Sequence, residues 1–299
     1  MLDALKSEAR KRPIYLATLL TAIITIPFLI APELDIWITS LFHDAADGFW
    51  LKNLYFPYRL RRLGIVAPRL IIILLALFLI ARLFWPRLKK VFSLAPVLYL
   101  IAVAAIGPGL IVNGMLKANW GRARPVQTDL FGGSWPYSEV WVVAGNCQNN
   151  CSFVSGEGAM SFWMLGLVLL LPIGWRKLSF WILAAFVALV SFNRILFGGH
   201  YLSDILISWA ITAWTMALFS VFLIRDSRFA IDNERLEALW DRWGDRLQPV
   251  VASRAVALWL HLRSVALSIW HFFASEVTDI HNALTTKPKK GPKRKREED

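Results

Sequence analysis

Residues 92–114 read FSLAPVLYLIAVAAIGPGLIVNG, a run of 23 residues without a charged side chain. About 20 apolar residues in a helix cross the ~30 Å hydrocarbon core of a bilayer. The chain contains six such runs, and they lack the evenly two-faced pattern of helices in a soluble bundle. We therefore predict an all-α fold, a polytopic six-helix transmembrane bundle. Its predicted spans are residues 14–33, 63–84, 92–114, 153–174, 180–197 and 203–224.

The composition fits a membrane protein and adds a strong charge bias. Of the 299 residues, 57% are hydrophobic and 15 are Trp, yet the formal net charge is +12. Cations cluster at the N-terminus, in connections 82–91 and 175–179, and in the final KPKKGPKRKREED, all on one side of a six-span topology. The positive-inside rule makes that side cytoplasmic, so both termini are predicted there. The segment YRLRRLG (58–64) departs from the rule: its three Arg side chains either snorkel to lipid headgroups or face an anionic substrate.

The chain divides into four predicted parts. They are two spans with an outer interfacial linker (1–89), a catalytic core of four spans (90–225), cytoplasmic amphipathic or interfacial helices (226–283) and a disordered basic tail (284–299). Residues 250–274 have the length of a seventh span, but a polar stripe at helical spacing favours a surface helix. The tail is expected to bind anionic membrane lipids, with nucleic acid as the disfavoured alternative.

Both cysteines, Cys147 and Cys151, fall in the predicted outer loop 115–152. Disulfides are permitted outside the cytoplasmic membrane, so a small loop-closing bridge is the favoured interpretation and two free buried thiols the alternative. A C-x-x-x-C pattern without a neighbouring His is poor evidence for zinc. We predict neither a metal nor a cofactor.

Three polar clusters lie at predicted outer helix ends. In KANWGRARP (117–125), Lys117 and Arg124 are seven residues apart and share one helix face. This pair alone is equally compatible with two cations that snorkel to the interface.

The second cluster, Ser155-Gly156-Glu157, begins the fourth predicted span. A helix N-terminus offers free N–H groups and a partial positive charge, both of which favour a bound phosphate. Ser155 can cap the helix and donate from its hydroxyl, and Gly156 lets a ligand approach the backbone. Ordinary capping, with an acid in the first turn, is the alternative interpretation.

The third cluster is NRILFGGHYLSD (193–204), which contains Arg194, His200 and Asp204. His200 and Asp204 are four residues apart, so the carboxylate can accept from one imidazole nitrogen and leave the other free to attack. A lone His near a helix end is usually structural. All three clusters fall on the same predicted membrane face, however, and together they indicate a phosphate site with a nucleophile.

The spacing of these clusters resembles the signature of the type-2 phosphatidic acid phosphatase superfamily, which also includes vanadium haloperoxidases. That signature is Lys, six residues, Arg-Pro; then Pro-Ser-Gly-His; then Ser-Arg, five residues, His, three residues, Asp. The matching residues here are Lys117, Arg124, Pro125, Ser155, Gly156, Arg194, His200 and Asp204. The resemblance covers residues 90–225 and leaves out the N-terminal region and the tail.

The resemblance implies a role for each residue. Lys117, Arg124 and Arg194 would hold the phosphoryl oxygens and the developing charge. Ser155 and the Gly156 N–H would add hydrogen bonds. His200 would attack phosphorus, oriented by Asp204, and water would release phosphate from the phosphohistidine. The family needs no metal here, and the outer-side acids form no local cluster of the kind that holds Mg²⁺; these acids include Asp35, Asp44, Asp129 and Glu139.

The sequence departs from the family signature at three positions. Val154 replaces Pro and Asn193 replaces Ser, both at positions that shape the backbone. Glu157 replaces the His that the family uses as general acid toward the leaving group. Two accounts stay open: Glu157 is the acid, although nearby cations favour its ionised form, or it positions Arg or Lys side chains for a good leaving group.

The segment DLFGG…NCQNNCSFVSGEGA resembles the bacterial lipid A phosphatase branch, where Ser-Gly-Glu also occurs. The leading hypothesis is an integral lipid phosphatase of the bacterial inner membrane with its active site facing the periplasm. It would hydrolyse a phosphomonoester or diphosphate, with lipid A or polyprenyl diphosphate favoured. The alternatives are a lipid phosphotransferase using the same phosphohistidine, a non-catalytic membrane scaffold, and a transporter. Expected partners are the lipid phosphate substrate and membrane lipids; the sequence predicts no oligomeric state.

Overall fold

The computed structural model describes residues 12–148, 150–225 and 229–285, and the regular elements in these ranges are all helices. The helices are α1 (Pro13–Ile30), α2 (Leu34–Ser40), α3 (Tyr55–Phe84), α4 (Leu94–Asn119), α5 (Gly156–Leu170), α6 (Ile173–Leu196), α7 (Leu202–Leu223) and α8 (Asn233–Thr285). Short 3₁₀ turns occupy Trp50–Asn53, Pro86–Lys90, Pro125–Gln127 and Asp129–Phe131. The N-terminal cations Lys6, Arg10 and Lys11, and the basic tail from residue 286 onward, lie outside the described residues.

Six helices in the described part of the chain are long and apolar enough to cross a membrane, which confirms the predicted all-α fold with six such helices. They are α1, α3, α4, α6, α7 and the Asn233–Trp270 part of α8. Five of them correspond to predicted spans, and the sixth lies in the region predicted to form surface helices. The fourth predicted span differs: α5 begins at Gly156, after the Ser155 N-cap, and ends at Leu170, just before Pro172. Its Gly156–Trp163 turns are largely buried among the other helices. A helix enclosed in this way need not have the length of a lipid-facing span.

Helix α3 begins well before the predicted start of the second span. It includes Arg59, Arg61 and Arg62, which the sequence assigned to an outer linker. The same linker also contains the short helix α2. The three cations of YRLRRLG therefore occupy fixed positions on a helix surface, and each points in a direction set by the helical repeat.

The middle of α4, Ala105–Leu116, is π-helical. Pro108 lacks the N–H that an α-helix needs at this point, and the Asn113 side chain donates to the Pro108 carbonyl at 2.6 Å. Stretches of π-helix are often found at functional sites. Here the stretch brings Asn113 against the start of α5: a Cβ at Gly156 would lie 2.4 Å from Asn113 Oδ1. A side chain at position 156 would therefore displace the Asn113 amide.

Among the described residues, two of the three apolar clusters pack the long helices against one another. The larger joins α3, α4 and α5 around Leu100 and Trp163, both fully buried, and the Trp163 indole donates to the Leu100 carbonyl at 2.8 Å. The smaller packs Val112, Phe153 and Ile207 beneath the residues that begin α5. Between helices in a membrane, such side chains stabilise the structure through close van der Waals packing. The smaller cluster thus packs against the start of α5 and supports Ser155 and Gly156.

The chain divides into two compact units, Met1–Arg242 and Trp243–Asp299. In the first unit, Glu237 of α8 forms an ion pair with the buried Arg82 and accepts from the Leu94 backbone N–H at 2.9 Å. In the second unit the described residues 243–285 are all helical. One continuous helix replaces the two segments suggested by the sequence, with Pro249 inside it. Its predicted cytoplasmic position stays a prediction.

Candidate active site

One cavity of about 590 Å³ is lined by helix α3 and by candidate site residues from four other parts of the chain. Lys117 comes from the end of α4, Arg124 from the loop that follows, Gly156 and Glu157 from the start of α5, and His200 from the α6–α7 connection. All five were singled out from the sequence. Three other predicted residues, Ser155, Arg194 and Asp204, are buried and do not form part of the cavity wall. The fold therefore brings the three sequence clusters to the same end of the helices.

Ser155 and Gly156 form the N-terminus of α5 as the sequence suggested. The Ser155 side chain accepts from the Gly158 N–H at 3.1 Å, and its backbone N–H donates to the Asp204 carbonyl at 3.1 Å. Ser155 is 0% exposed, so its hydroxyl acts as a helix cap, whereas Gly156 faces the cavity. The backbone at Gly156 is thus the part of this cluster that a ligand in the cavity can approach.

Arg124 and the segment 147–151 are held together in the connection between α4 and α5. Its guanidinium donates to the Asn150 carbonyl from Nη2 at 2.7 Å and from Nε at 3.1 Å. A disulfide joins Cys147 and Cys151, whose Cα atoms are 5.6 Å apart. The bridge closes the loop that carries Asn150 and that leads directly into α5. The predicted pair of cysteines thus lies beside the candidate site.

His200 is 1% exposed and lies in the connection between α6 and α7. Its Nδ1 is 3.7 Å from Asp204 Oδ2, adjacent but beyond hydrogen-bond distance. Burial lowers the pKa of His200 to about 3, and the Arg194 and Lys117 cations act in the same direction. The imidazole is therefore neutral near pH 7, and a neutral imidazole has the free electron pair that nucleophilic attack requires.

Arg194 and Glu157 form the back of the site. Arg194 Nε is 3.4 Å from Glu157 Oε1, and the Arg194 side chain is 3% exposed. A second guanidinium reaches the same oxygen, with Arg61 Nε at 3.6 Å. Glycine at 199 leaves room for Arg194, because a Cβ there would lie 2.4 Å from Arg194 Nη2. Glu157 is thus the shared counterion of two guanidinium groups.

Comparison of the sequence with known proteins identifies a family. The family model of the PAP2 superfamily matches residues 93–228. A segment of 198 residues is 34% identical to a lipid A 4'-phosphatase of Francisella tularensis subsp. novicida, covering 60% of this chain and 81% of that relative. The chain belongs to the PAP2 superfamily. The family assignment suggested by the spacing of the three clusters is confirmed.

Two further relatives of this PAP2 chain come from Rhizobium. Segments of 104 residues are 48% identical to lipid A 4'-phosphatases of Rhizobium leguminosarum and Rhizobium etli, covering 35% of this chain in each case. The matches span 45% and 40% of those relatives, less than half of their length. No solved structure matches the chain.

Arg122 lies behind the candidate site and was not assigned from the sequence. It is 0% exposed and donates to Asp204 Oδ1 at 2.8 Å and to Asp35 Oδ2 at 2.9 Å. Its guanidinium lies 4.2 Å from the centre of the Tyr201 ring. Although burial opposes its charge, Asp204 and Asp35 raise the pKa of Arg122 above its usual range. Arg122 therefore fixes the carboxylate that adjoins His200.

Asp35 and Asp204 share a network of hydroxyl and backbone donors. Asp204 also accepts from Ser152 Oγ at 2.5 Å and from the Tyr201 N–H at 3.0 Å. Asp35 accepts from the backbone and the hydroxyl of Ser203. With these bonds Asp204 is held rigidly, so its distance from His200 is set by the fold. The sequence contains one indication of a role for Arg122, because it is a third cation between Lys117 and Arg124.

The donor set of the PAP2 site is cationic. Within the ranges that the structure describes, no group of three or more His, Cys, Asp or Glu side chains is placed to hold a metal ion. Lys117, Arg124 and Arg194 instead provide positive charge near His200. The arrangement can bind an anion such as a phosphate group and present a neutral imidazole to it.

Proposed function

We propose that the chain is a membrane lipid phosphatase that removes phosphate from lipid A or a related glycolipid at the periplasmic face of the bacterial inner membrane. The observation that carries the proposal is the meeting of Lys117, Arg124, Gly156 and the neutral, buried His200 around one cavity. The relatives named lipid A 4'-phosphatase support the choice of substrate. The six membrane-length helices support a substrate drawn from the bilayer.

The proposed reaction has two steps. His200 Nε2, the nitrogen away from Asp204, attacks phosphorus as the bond from phosphorus to the lipid oxygen breaks. Lys117 and Arg124, which line the cavity, stabilise the charge that spreads over the phosphoryl oxygens, the dominant contribution in phosphoryl transfer. The buried Arg194 adds positive charge close to His200. A water molecule then attacks the phosphohistidine, which releases inorganic phosphate and restores the neutral imidazole.

Phosphate release from a panel of purified lipid phosphates tests this proposal. The panel contains lipid A, a polyprenyl diphosphate and phosphatidate, each in detergent with and without a chelator. We expect the highest rate with lipid A and no change on chelation, because the side chains supply the charge that a metal ion would otherwise provide. Release from none of the lipids would refute the function, and loss of activity with the chelator would refute metal independence.

We expect Glu157→Gln and Glu157→His to lower kcat/KM by similar factors, on the order of 10²-fold. The reason is that either change removes the carboxylate that holds Arg61 and Arg194. Glu139→Gln serves as a control, since Glu139 is an exposed glutamate in the connection that leads to α5. We expect this variant to keep wild-type activity. If Glu157→His kept full activity while Glu157→Gln lost it, Glu157 would instead be the general acid.

A further inference from the structure

Arg61 adds a cation to the cavity from a part of the chain that the family match does not include. It lies on α3, outside residues 93–228, and lines the same cavity as Lys117 and His200. Its side chain is 38% exposed, whereas that of Arg194 on the other side of Glu157 is 3% exposed. Of these two partners of Glu157, Arg61 is thus the one that a ligand in the cavity can reach.

The two neighbouring arginines on α3 point elsewhere. Arg59 and Arg62 are exposed, rest on the Tyr55 and Tyr58 rings at 5.6 and 6.0 Å, and line a separate surface depression. Arg61 instead lies 5.6 Å from the Phe197 ring, which Arg194 approaches at 5.7 Å. Of these three arginines, Arg61 therefore faces the cavity because of its position in the helical repeat. Contacts with Glu157 and Phe197 hold its side chain there.

The leaving group needs stabilisation that Glu157 cannot give as a counterion. In the reaction proposed above, breakage of the bond from phosphorus to the lipid oxygen leaves an electron pair on that oxygen. The family uses a histidine at position 157 to protonate it. Here the position holds a carboxylate paired with two guanidinium groups. A cation placed at the developing charge lowers the barrier without any proton transfer.

Building on the proposed function, we propose that Arg61, held by Glu157, stabilises the negative charge on the leaving lipid oxygen. The His200 Nε2–phosphorus bond forms, the phosphorus–oxygen bond breaks, and the alkoxide is paired with the Arg61 guanidinium. The alkoxide takes its proton from a water molecule. The resulting hydroxide attacks phosphorus of the phosphohistidine, so that the products are the lipid alcohol, inorganic phosphate and neutral His200. Glu157 is a positioning residue in this scheme.

The test compares two substrates that differ in their leaving group. Dodecyl phosphate has a poor alkoxide leaving group, and 4-nitrophenyl phosphate has a good one; both are assayed in detergent micelles. We expect Arg61→Gln to lower kcat/KM for dodecyl phosphate by about 10²–10³-fold, the usual loss for one donor to a developing oxyanion. For 4-nitrophenyl phosphate the loss should stay below about 10-fold, because nitrophenolate needs little stabilisation.

Arg62→Gln is the matched control, since it removes the same charge from the next residue of the same helix, outside the cavity. We expect wild-type rates for both substrates. An equal loss on both substrates in Arg61→Gln, or no loss on either, would overturn the leaving-group role while wild-type activity upheld the proposed function. A wild-type protein inactive on these two substrates and on the lipid phosphate panel would overturn the proposed function and this role together.

A double-variant cycle tests the part played by Glu157. If Glu157 acts by holding Arg61 toward the leaving oxygen, Glu157→Gln should share the selective loss on dodecyl phosphate. Adding Glu157→Gln to Arg61→Gln should then lower the rate on this substrate by less than about 3-fold, because the shared interaction is already lost. Fully multiplicative losses would show that Glu157 acts independently of Arg61 and would overturn the coupling.

Discussion

His200→Ala is expected to lower phosphate release from a lipid phosphate by at least about 10⁴-fold, the scale seen when a catalytic nucleophile is removed. The imidazole is 1% exposed, lines the cavity and carries a pKa lowered to about 3 by burial, so it is neutral and available at pH 7. The guanidinium groups around it cannot replace a nucleophile, because their nitrogens have no free electron pair. Inorganic phosphate measured in detergent gives the result directly.

The control for this variant is His261→Ala, at an exposed histidine of α8 far along the chain. It should keep wild-type activity. Both variants must elute at the wild-type volume in size-exclusion chromatography, so that loss of activity cannot be attributed to unfolding. Full activity of His200→Ala in such a sample would show that another group attacks phosphorus.

Arg122→Met is expected to lower the free energy of unfolding by about 3–5 kcal/mol, the typical cost of removing one partner from a buried ion pair. The substitution leaves Asp35 and Asp204, which are 1% and 0% exposed, without their cation. Activity should fall as well, because Asp204 would no longer be held beside His200. Thermal unfolding in detergent and phosphate release are the two measurements.

Arg59→Met is the matched control, since Arg59 is an exposed cation whose partner is a surface tyrosine ring. We expect its unfolding to match that of the wild type. If Arg122→Met unfolded at the wild-type temperature, the network of Arg122, Asp35 and Asp204 would contribute little to stability. If it unfolded early yet kept full activity, the network would stabilise the fold without positioning Asp204.

Local sequence motifs were enough to predict five of the residues that line the cavity: Lys117, Arg124, Gly156, Glu157 and His200. The helix face predicted for Lys117 and Arg124 is wrong, because α4 ends at Asn119 and Arg124 lies in the loop that follows. His200 likewise precedes α7, which begins at Leu202, so the loops bring these side chains to the cavity. Long apolar runs were likewise enough to predict most of the membrane-length helices. These features depend on neighbours within a few turns of helix, which sequence patterns describe well.

Contacts between distant segments could not be predicted in this way. Arg122 and Asp35 are 87 residues apart, and a buried ion pair between them leaves no periodic pattern. Arg61 was noticed only as a cation on the unexpected side of the membrane, because helix α3 begins earlier than its apolar run. Its partner Glu157 lies almost a hundred residues further along the chain, so only the packing of α3 against α5 reveals the pair.

The covalent intermediate is the most direct test of the central claim that His200 is the nucleophile. The phosphorus–nitrogen bond of phosphohistidine survives alkali but breaks in acid. Wild-type protein mixed with a lipid phosphate labelled in its phosphate group should therefore retain label after an alkaline quench and lose it after an acid quench. Peptide mapping should place the label on His200, and His200→Ala should retain none. An active wild-type protein that never carries label, or label on another residue, would contradict the account.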